Sequence, residues 1–267
     1  MNGPIVPGGR ILLLAPHPDD EVVGCAAAAL RAGDAGARVL VLYLTTGLPD
    51  MATQPPWRRR GHAGRVNRRS AEAWSAAELL GLRPVAFLRH PSRSLRRHLD
   101  PVRAAVARAL RDHAVDVLWA PAYEGGHADH DTANAVAATF AGDLPVFEFA
   151  AYNNAGGRTN SQSFPVLTGA ETVLTLDARE RDLKRRALAL YRSERRNLSY
   201  VQTAREMLRP LAGHDYARRP HPGPLFYERF HWVPFRHPAI DWTTGDEVCA
   251  DLAAFAPRPP EVGPAGD

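Results

Sequence analysis

The chain predicts an α/β fold, Rossmann-like and doubly wound, with a mainly parallel sheet in the core order 3-2-1-4-5 and C-terminal additions. Three observations carry this. Short apolar runs at residues 11–14 and 39–43 do not alternate with polar residues, as expected of strands covered on both faces. Segments of helical period lie between such runs, joined mostly by short connections. Two dense polar segments each follow an apolar run, at the strand-to-helix junctions where open α/β sheets collect their binding residues.

In order, residues 11–15 form the first strand, and an alanine-rich helix follows over 21–32, ending near Gly33. Residues 38–44 are a central strand. Residues 45–64, rich in Gly, Pro and Thr, form a loop of a length usual for lids and binding loops. A second helix runs over 66–80 with Gly81 as its C-cap, then a strand over 84–88. The helix over 100–113 places Leu99, Val102, Val106 and Leu110 on one face, and a strand at 115–120 delivers the second polar segment. A helix to Phe140 and a strand over 145–150 complete the core. Beyond it, residues 172–176 read as a strand and Asp177 caps a basic helix over 178–192. Residues 213–227 form an irregular covering segment, and 257–267 a Pro- and Gly-rich tail. The expected organisation is one domain over 1–256, with the core at about 10–150 and substrate-side additions at about 151–256.

At 267 residues and 45% hydrophobic content, the chain buries one substantial core. It holds no apolar stretch of membrane-spanning length and no secretory signal, so the expectation is a soluble, cytoplasmic protein without a membrane partner. Cys25 and Cys249 form no CxxC and read as small buried hydrophobes. The net charge of +4 and pI near 9.4 are the work of arginine, since Lys184 is the sole lysine. The arginines at 58–60, 68–69, 96–97 and 195–196 read as solvated helix faces; no nucleic-acid surface stands out, and a phosphate-bearing substrate stays open.

The chemistry concentrates in Pro16-His17-Pro18-Asp19-Asp20-Glu21 and in His127-Ala128-Asp129-His130-Asp131. In a 3-2-1-4-5 sheet the strands preceding them are neighbours where the strand order reverses, so the two segments become facing lips of one crevice. His17, Asp20 and His130 are then two imidazoles and a carboxylate, a ligand set suited to zinc with a position left for water. Asp19 and Asp20, being adjacent, cannot face a metal alike, which frees one as general base. His127 lies where it can donate to an oxyanion, and Asp129 where it can fix an imidazole tautomer. Against this, acids at helix starts are common as caps; the histidine between two prolines has no such structural purpose. The glycine-rich turn at 152–158, with Asn153, Asn154 and Arg158, reads as a substrate loop.

These motifs resemble the PIG-L, or LmbE-like, family of zinc-dependent de-N-acetylases, with an (A/P)HPDDE motif after the first strand and HxDH after the fourth. The resemblance implies that His17, Asp20 and His130 bind zinc, or another divalent ion such as iron(II). It further implies that Asp19 is the general base, and that His127 is the acid or oxyanion stabiliser, partnered by Asp129. Arg69-Ser70-Ala71-Glu72 followed by Leu80-Gly81 matches a further family pattern, implying that Arg69 anchors substrate hydroxyls or phosphate. Thr45-Thr46-Gly47-Leu48-Pro49-Asp50 departs from the family's T-x-GE-x-G. The expected activity is hydrolysis of an N-acetyl or N-acyl group on a small amino sugar or glycoside. The alternatives are the same chemistry on a non-sugar amide such as a thiol conjugate, or a non-catalytic sugar- or nucleotide-binding module; carboxylates stand where the latter needs a G-x-G-x-x-G.

Overall fold

The computed structural model describes residues 3–237 and 240–255, so the expected 257–267 tail lies outside the described residues. The core strands are β1 (Arg10–Ala15), β2 (Arg38–Pro49), β3 (Arg83–Ser92), β4 (Val117–Pro121) and β5 (Val146–Phe149). They interleave with α1 (Asp20–Asp34), α2 (Pro56–Arg59), α3 (His62–Leu80), α4 (Leu99–Asp112) and α5 (Ala128–Ala138). The five strands are parallel in the order β3-β2-β1-β4-β5, as the sequence predicts.

The non-alternating runs serve both faces. Ile11 and Leu13 join Val39, Val41 and Tyr43 on one side of the sheet; Leu12 and Leu14 join Leu40, Leu42 and Leu44 on the other. Each such side chain, fully withdrawn from water, contributes about 1.5–3 kcal/mol. Small residues let α1 lie close to the sheet. A Cβ at Gly24 would stand 2.1 Å from the Phe149 ring, so no larger residue fits there without displacing that ring.

β1 and β4 pair directly, Ile11 opposite Val117 and Leu13 opposite Trp119, and the chain reverses its progress across the sheet between them. Their carboxyl ends, Ala15 and Pro121, therefore release the two polar segments side by side.

Two parts differ from expectation. The segment at 45–64 is not wholly a loop, because β2 continues to Pro49, pairing Thr45 with His90 and Pro49 with Ser92 across register shifts; a 3-10 turn and α2 follow. Its Thr, Gly and Pro content conceals an irregular strand. Beyond β5, a hairpin of β6 (Tyr152–Asn153) and β7 (Asn160–Ser161) precedes β8 (Thr172–Thr175), α6 (Ala178–Leu190), β9 (Arg205–Pro210) and α7 (Gly245–Phe255). β9 and β8 extend the sheet antiparallel past β5. β9 escapes sequence reading because it carries buried charges: Glu206 pairs with Lys184 at 2.7 Å and Arg209 with Glu148 at 2.6 Å, partners supplied from elsewhere in the chain. Both cysteines are free and buried. Among the described residues no helix is long and apolar enough to cross a membrane.

Candidate metal centre and active site

The turn from β1 to α1 holds an unusual backbone. Asp19, the residue before α1, has φ 129°, a region that L-residues rarely adopt and that costs about 1–3 kcal/mol. Four bonds fix it. The His17 N–H donates to Asp20 Oδ2 at 2.7 Å and the Asp19 N–H to Glu21 Oε2 at 3.1 Å; the Arg69 guanidinium donates to Pro18 O at 2.7 Å and to Asp19 Oδ2 at 3.2 Å. The consequence is that two adjacent carboxylates diverge, Asp20 to the histidines and Asp19 to Arg69.

Asp20 sits between two imidazoles, Oδ2 3.2 Å from His17 Nδ1 and Oδ1 3.1 Å from His130 Nε2. The ligand atoms of His17, Asp20 and His130 all lie within 4.8 Å of one another, and all three residues are buried. His130 is fully buried, its Nε2 meets only the Asp20 carboxylate, and among the described residues its Nδ1 has no hydrogen-bond partner. A buried imidazole left in that condition beside a carboxylate is satisfied by a divalent cation, and the donor set suits one.

Asp129 completes the arrangement from α5. Its carboxylate accepts from the backbone of Arg93 at 2.6 Å and of Leu95 at 3.0 Å, and lies 3.0 Å from His17 Nε2. With His17 Nε2–H directed at Asp129, Nδ1 would be the nitrogen left to hold a metal, as in carboxylate–histidine–metal relays. Asp129 was expected to partner His127, whose Nδ1 is 3.6 Å from it; its short contact is with His17 instead. His127 Nδ1 accepts from the Asp129 N–H at 3.0 Å, so the neutral ring carries its proton on Nε2.

The charge balance follows. Burial disfavours protonated His17, but hydrogen bonds to Asp129 and Asp20 outweigh it and push its pKa up to about 10. A cation held at His17 Nδ1 would take over that proton's part. Against burial, the neighbouring His130 and His17 hold Asp20 well below the usual carboxylate range. Asp19 goes the other way: burial pushes it up to about 7, Arg69 opposing and Asp20 assisting. Burial, and then the charge on His17, keeps His127 neutral.

His17, Asp19, Asp20 and His127 line a cleft of about 1220 Å³, together with Arg69 and Tyr152. Arg69, expected on the substrate, is only 3% exposed and is committed to Pro18, Asp19 and Glu194. Asn153 is likewise no substrate ligand. It is fully buried, donating to Ser163 O at 2.8 Å and accepting from the Ala155 N–H at 3.1 Å, so it ties the β6–β7 hairpin together. Asn154 donates to Pro224 O at 3.0 Å, and Arg158 is exposed; neither lines the cleft. Sequence reasoning missed Glu194 and Ser193. Glu194 grips Arg69 while the Ser193 N–H donates to Glu72 at 3.1 Å, so both ends of the Arg69-Ser70-Ala71-Glu72 pattern dock one segment. They lie just past the helix expected over 178–192, where no local pattern marks them.

Fold and site together define a doubly wound α/β protein with a His-His-Asp centre for a divalent metal. Residues 12–141 match the PIG-L family, described as GlcNAc-PI de-N-acetylase. A 2'-N-acetylparomamine deacetylase of Streptomyces fradiae is 34% identical over 139 residues, 46% of this chain and 48% of that one. The chain thus spans about half the length of that curated relative. Among solved structures, the zinc-inhibited form of a teicoplanin deacetylase matches with TM-score 0.57 at 20% identity, over 75% of this chain and 97% of the other. The 4-carboxy-2-hydroxymuconate hydratase of Pseudomonas putida shares the fold with TM-score 0.50 at 16% identity, over 77% and 97%. A hydratase and a deacetylase on one fold mean that the site, not the fold, must decide the reaction.

Proposed function

We propose that the protein is a zinc-dependent amide hydrolase that removes an acetyl or longer acyl group from the nitrogen of an amino sugar. The observation that carries this reading is the divergence of Asp19 from Asp20: one carboxylate joins the metal cluster, while its neighbour faces the same cleft with a raised pKa. His17, Asp20 and His130 would hold the zinc, which when bound polarises the amide carbonyl and acidifies water. Asp19 takes a proton from the attacking water and returns it to the departing amine, so that water and amide become carboxylate and amine. A base near neutral suits both transfers. Arg69 holds that carboxylate in place from the side. His127, with its proton on Nε2, donates to the oxygen that gains charge as the carbonyl becomes tetrahedral. Asp129 keeps His17 turned toward the metal. The matched family and the deacetylase named among the relatives support the amino-sugar amide as substrate.

The test compares wild type with Asp19→Ala for bound metal and for acetate release from a panel of N-acetylated sugars. The variant is expected to keep its metal and lose about 10²–10⁴-fold in turnover. Turnover at the wild-type rate removes Asp19 from the reaction.

A further inference from the structure

The cleft is positively charged well beyond what the reaction needs. Seven arginines and three carboxylates line it. The carboxylates are already engaged, Asp19 and Glu194 by Arg69 and Asp20 by the two histidines. Among the described residues Arg58, Arg68, Arg196 and Arg229 have no carboxylate within ion-pair distance, whereas Arg31, Arg179 and Arg219, outside the cleft, each have at least one.

These four do not belong to one solvated helix face. Arg58 comes from α2, Arg68 from α3, Arg196 from the turn after Glu194 and Arg229 from the end of the 3-10 turn at Phe226–Glu228. Three arginine clusters that look scattered in sequence therefore line one cleft, together with a residue about thirty positions beyond the last of them. Arg229 is also held in place, its guanidinium lying 3.6 Å from the centre of the Phe226 ring. Arginine wherever oxyanions bind is a matter of geometry, since its planar fork meets phosphate or carboxylate with two parallel hydrogen bonds. A divalent ion held at the floor would add to the same field, and a cleft focuses it.

We propose that the acylated amino sugar carries an anionic oxygen group, a phosphate or a carboxylate, which seats on Arg58, Arg68, Arg196 and Arg229 while the amide reaches the metal centre. This deepens the amide-hydrolase reading and rests on it. The same wall disfavours a polycationic aminoglycoside.

The experiment measures kcat/KM for four probes: N-acetylglucosamine 1-phosphate, N-acetylmuramic acid, methyl N-acetylglucosaminide and an N-acetylated aminoglycoside. Wild type and the Arg68→Ala/Arg196→Ala double variant are compared at low and high salt. Parallel calorimetry compares glucosamine 1-phosphate with methyl glucosaminide, independently of turnover. The phosphate or the carboxylate probe is expected to exceed the neutral glycoside by about 10- to 100-fold, and whichever leads identifies the anion. The double variant and high salt should each cut that preference by about tenfold. Equal kcat/KM for neutral and anionic probes, or a preference for the aminoglycoside, overturns the proposal. If no probe releases acetate, the acetyl form of the amide-hydrolase reading fails; calorimetry then decides the anion site alone, and equal binding of phosphorylated and neutral ligand overturns it.

Discussion

The floor and the wall of the cleft are built by opposite means. At the floor, two strand-to-helix turns place ionisable groups a few residues from a rigid parallel sheet, and every carboxylate is buried and bonded: Asp20 to two histidines, Asp129 to two backbone N–H groups and His17. At the wall, Arg58, Arg68, Arg196 and Arg229 come from four separate segments and are exposed. Reacting groups need sub-ångström placement, which buried hydrogen bonds supply; recognition of a charged group tolerates looser geometry and must stay open to solvent. Chemistry and selectivity should therefore respond to different mutations.

The sharpest way to break this contrast is at the floor, in a residue that touches neither metal nor substrate. Asp129→Asn keeps the shape and removes the charge that orients His17. Metal affinity is expected to fall about 10- to 100-fold, with activity recovered in excess zinc. Metal titration against a chelator reads this directly. An unchanged affinity would mean that Asp129 merely caps the turn at 93–95.

The floor was legible in the sequence and the wall was not, for the same physical reason. His17, Asp20 and His130 follow from two local motifs and one topological rule, because adjacent parallel strands leave no other place for their carboxyl-end turns. Arg69 was found but misassigned: its pattern marks it as special, yet only the fold shows Glu194 arriving to occupy it. Asn153 misled because polar, glycine-rich turns look alike whether their amides face solvent or knit a hairpin. β9 was missed because Glu206 and Arg209 read as surface charge until Lys184 and Glu148 are seen opposite them. Local pattern reports local placement, and partners far apart in sequence leave no trace in it.

Arg69 sharpens the comparison from between the two regions, because it joins the floor at Asp19 to the wall segment at Glu194. In the proposed reaction Asp19 must be a carboxylate to accept a proton, so kcat/KM should fall as pH drops through its pKa, which burial raises toward neutrality. Arg69 opposes that rise, and so does a bound dication. Arg69→Met removes one of these, so the acid limb of the pH profile should move to higher pH, while at pH above the limb the loss in rate stays within about tenfold. A limb at the same pH in both proteins would show that Arg69 serves the backbone at Pro18 and not the Asp19 charge.

The smallest effects on turnover are expected in the β6–β7 hairpin, and they separate two residues that sequence reading treats alike. Asn153 is buried, and Asn153→Ala strands the Ser163 carbonyl and the Ala155 N–H. It should cost about 1–3 kcal/mol of stability in denaturant unfolding. Arg158 is exposed and does not line the cleft, so Arg158→Ala should stay within about 0.5 kcal/mol of wild type. Neither should move kcat/KM for a small N-acetylated sugar by more than a few-fold, because neither reaches the metal centre. A selective rise in KM for Arg158→Ala, with stability intact, would return the hairpin to the substrate and extend the arginine wall past Arg229. Equal losses of stability in both variants would mean instead that the guanidinium, too, is part of the hairpin's internal bonding.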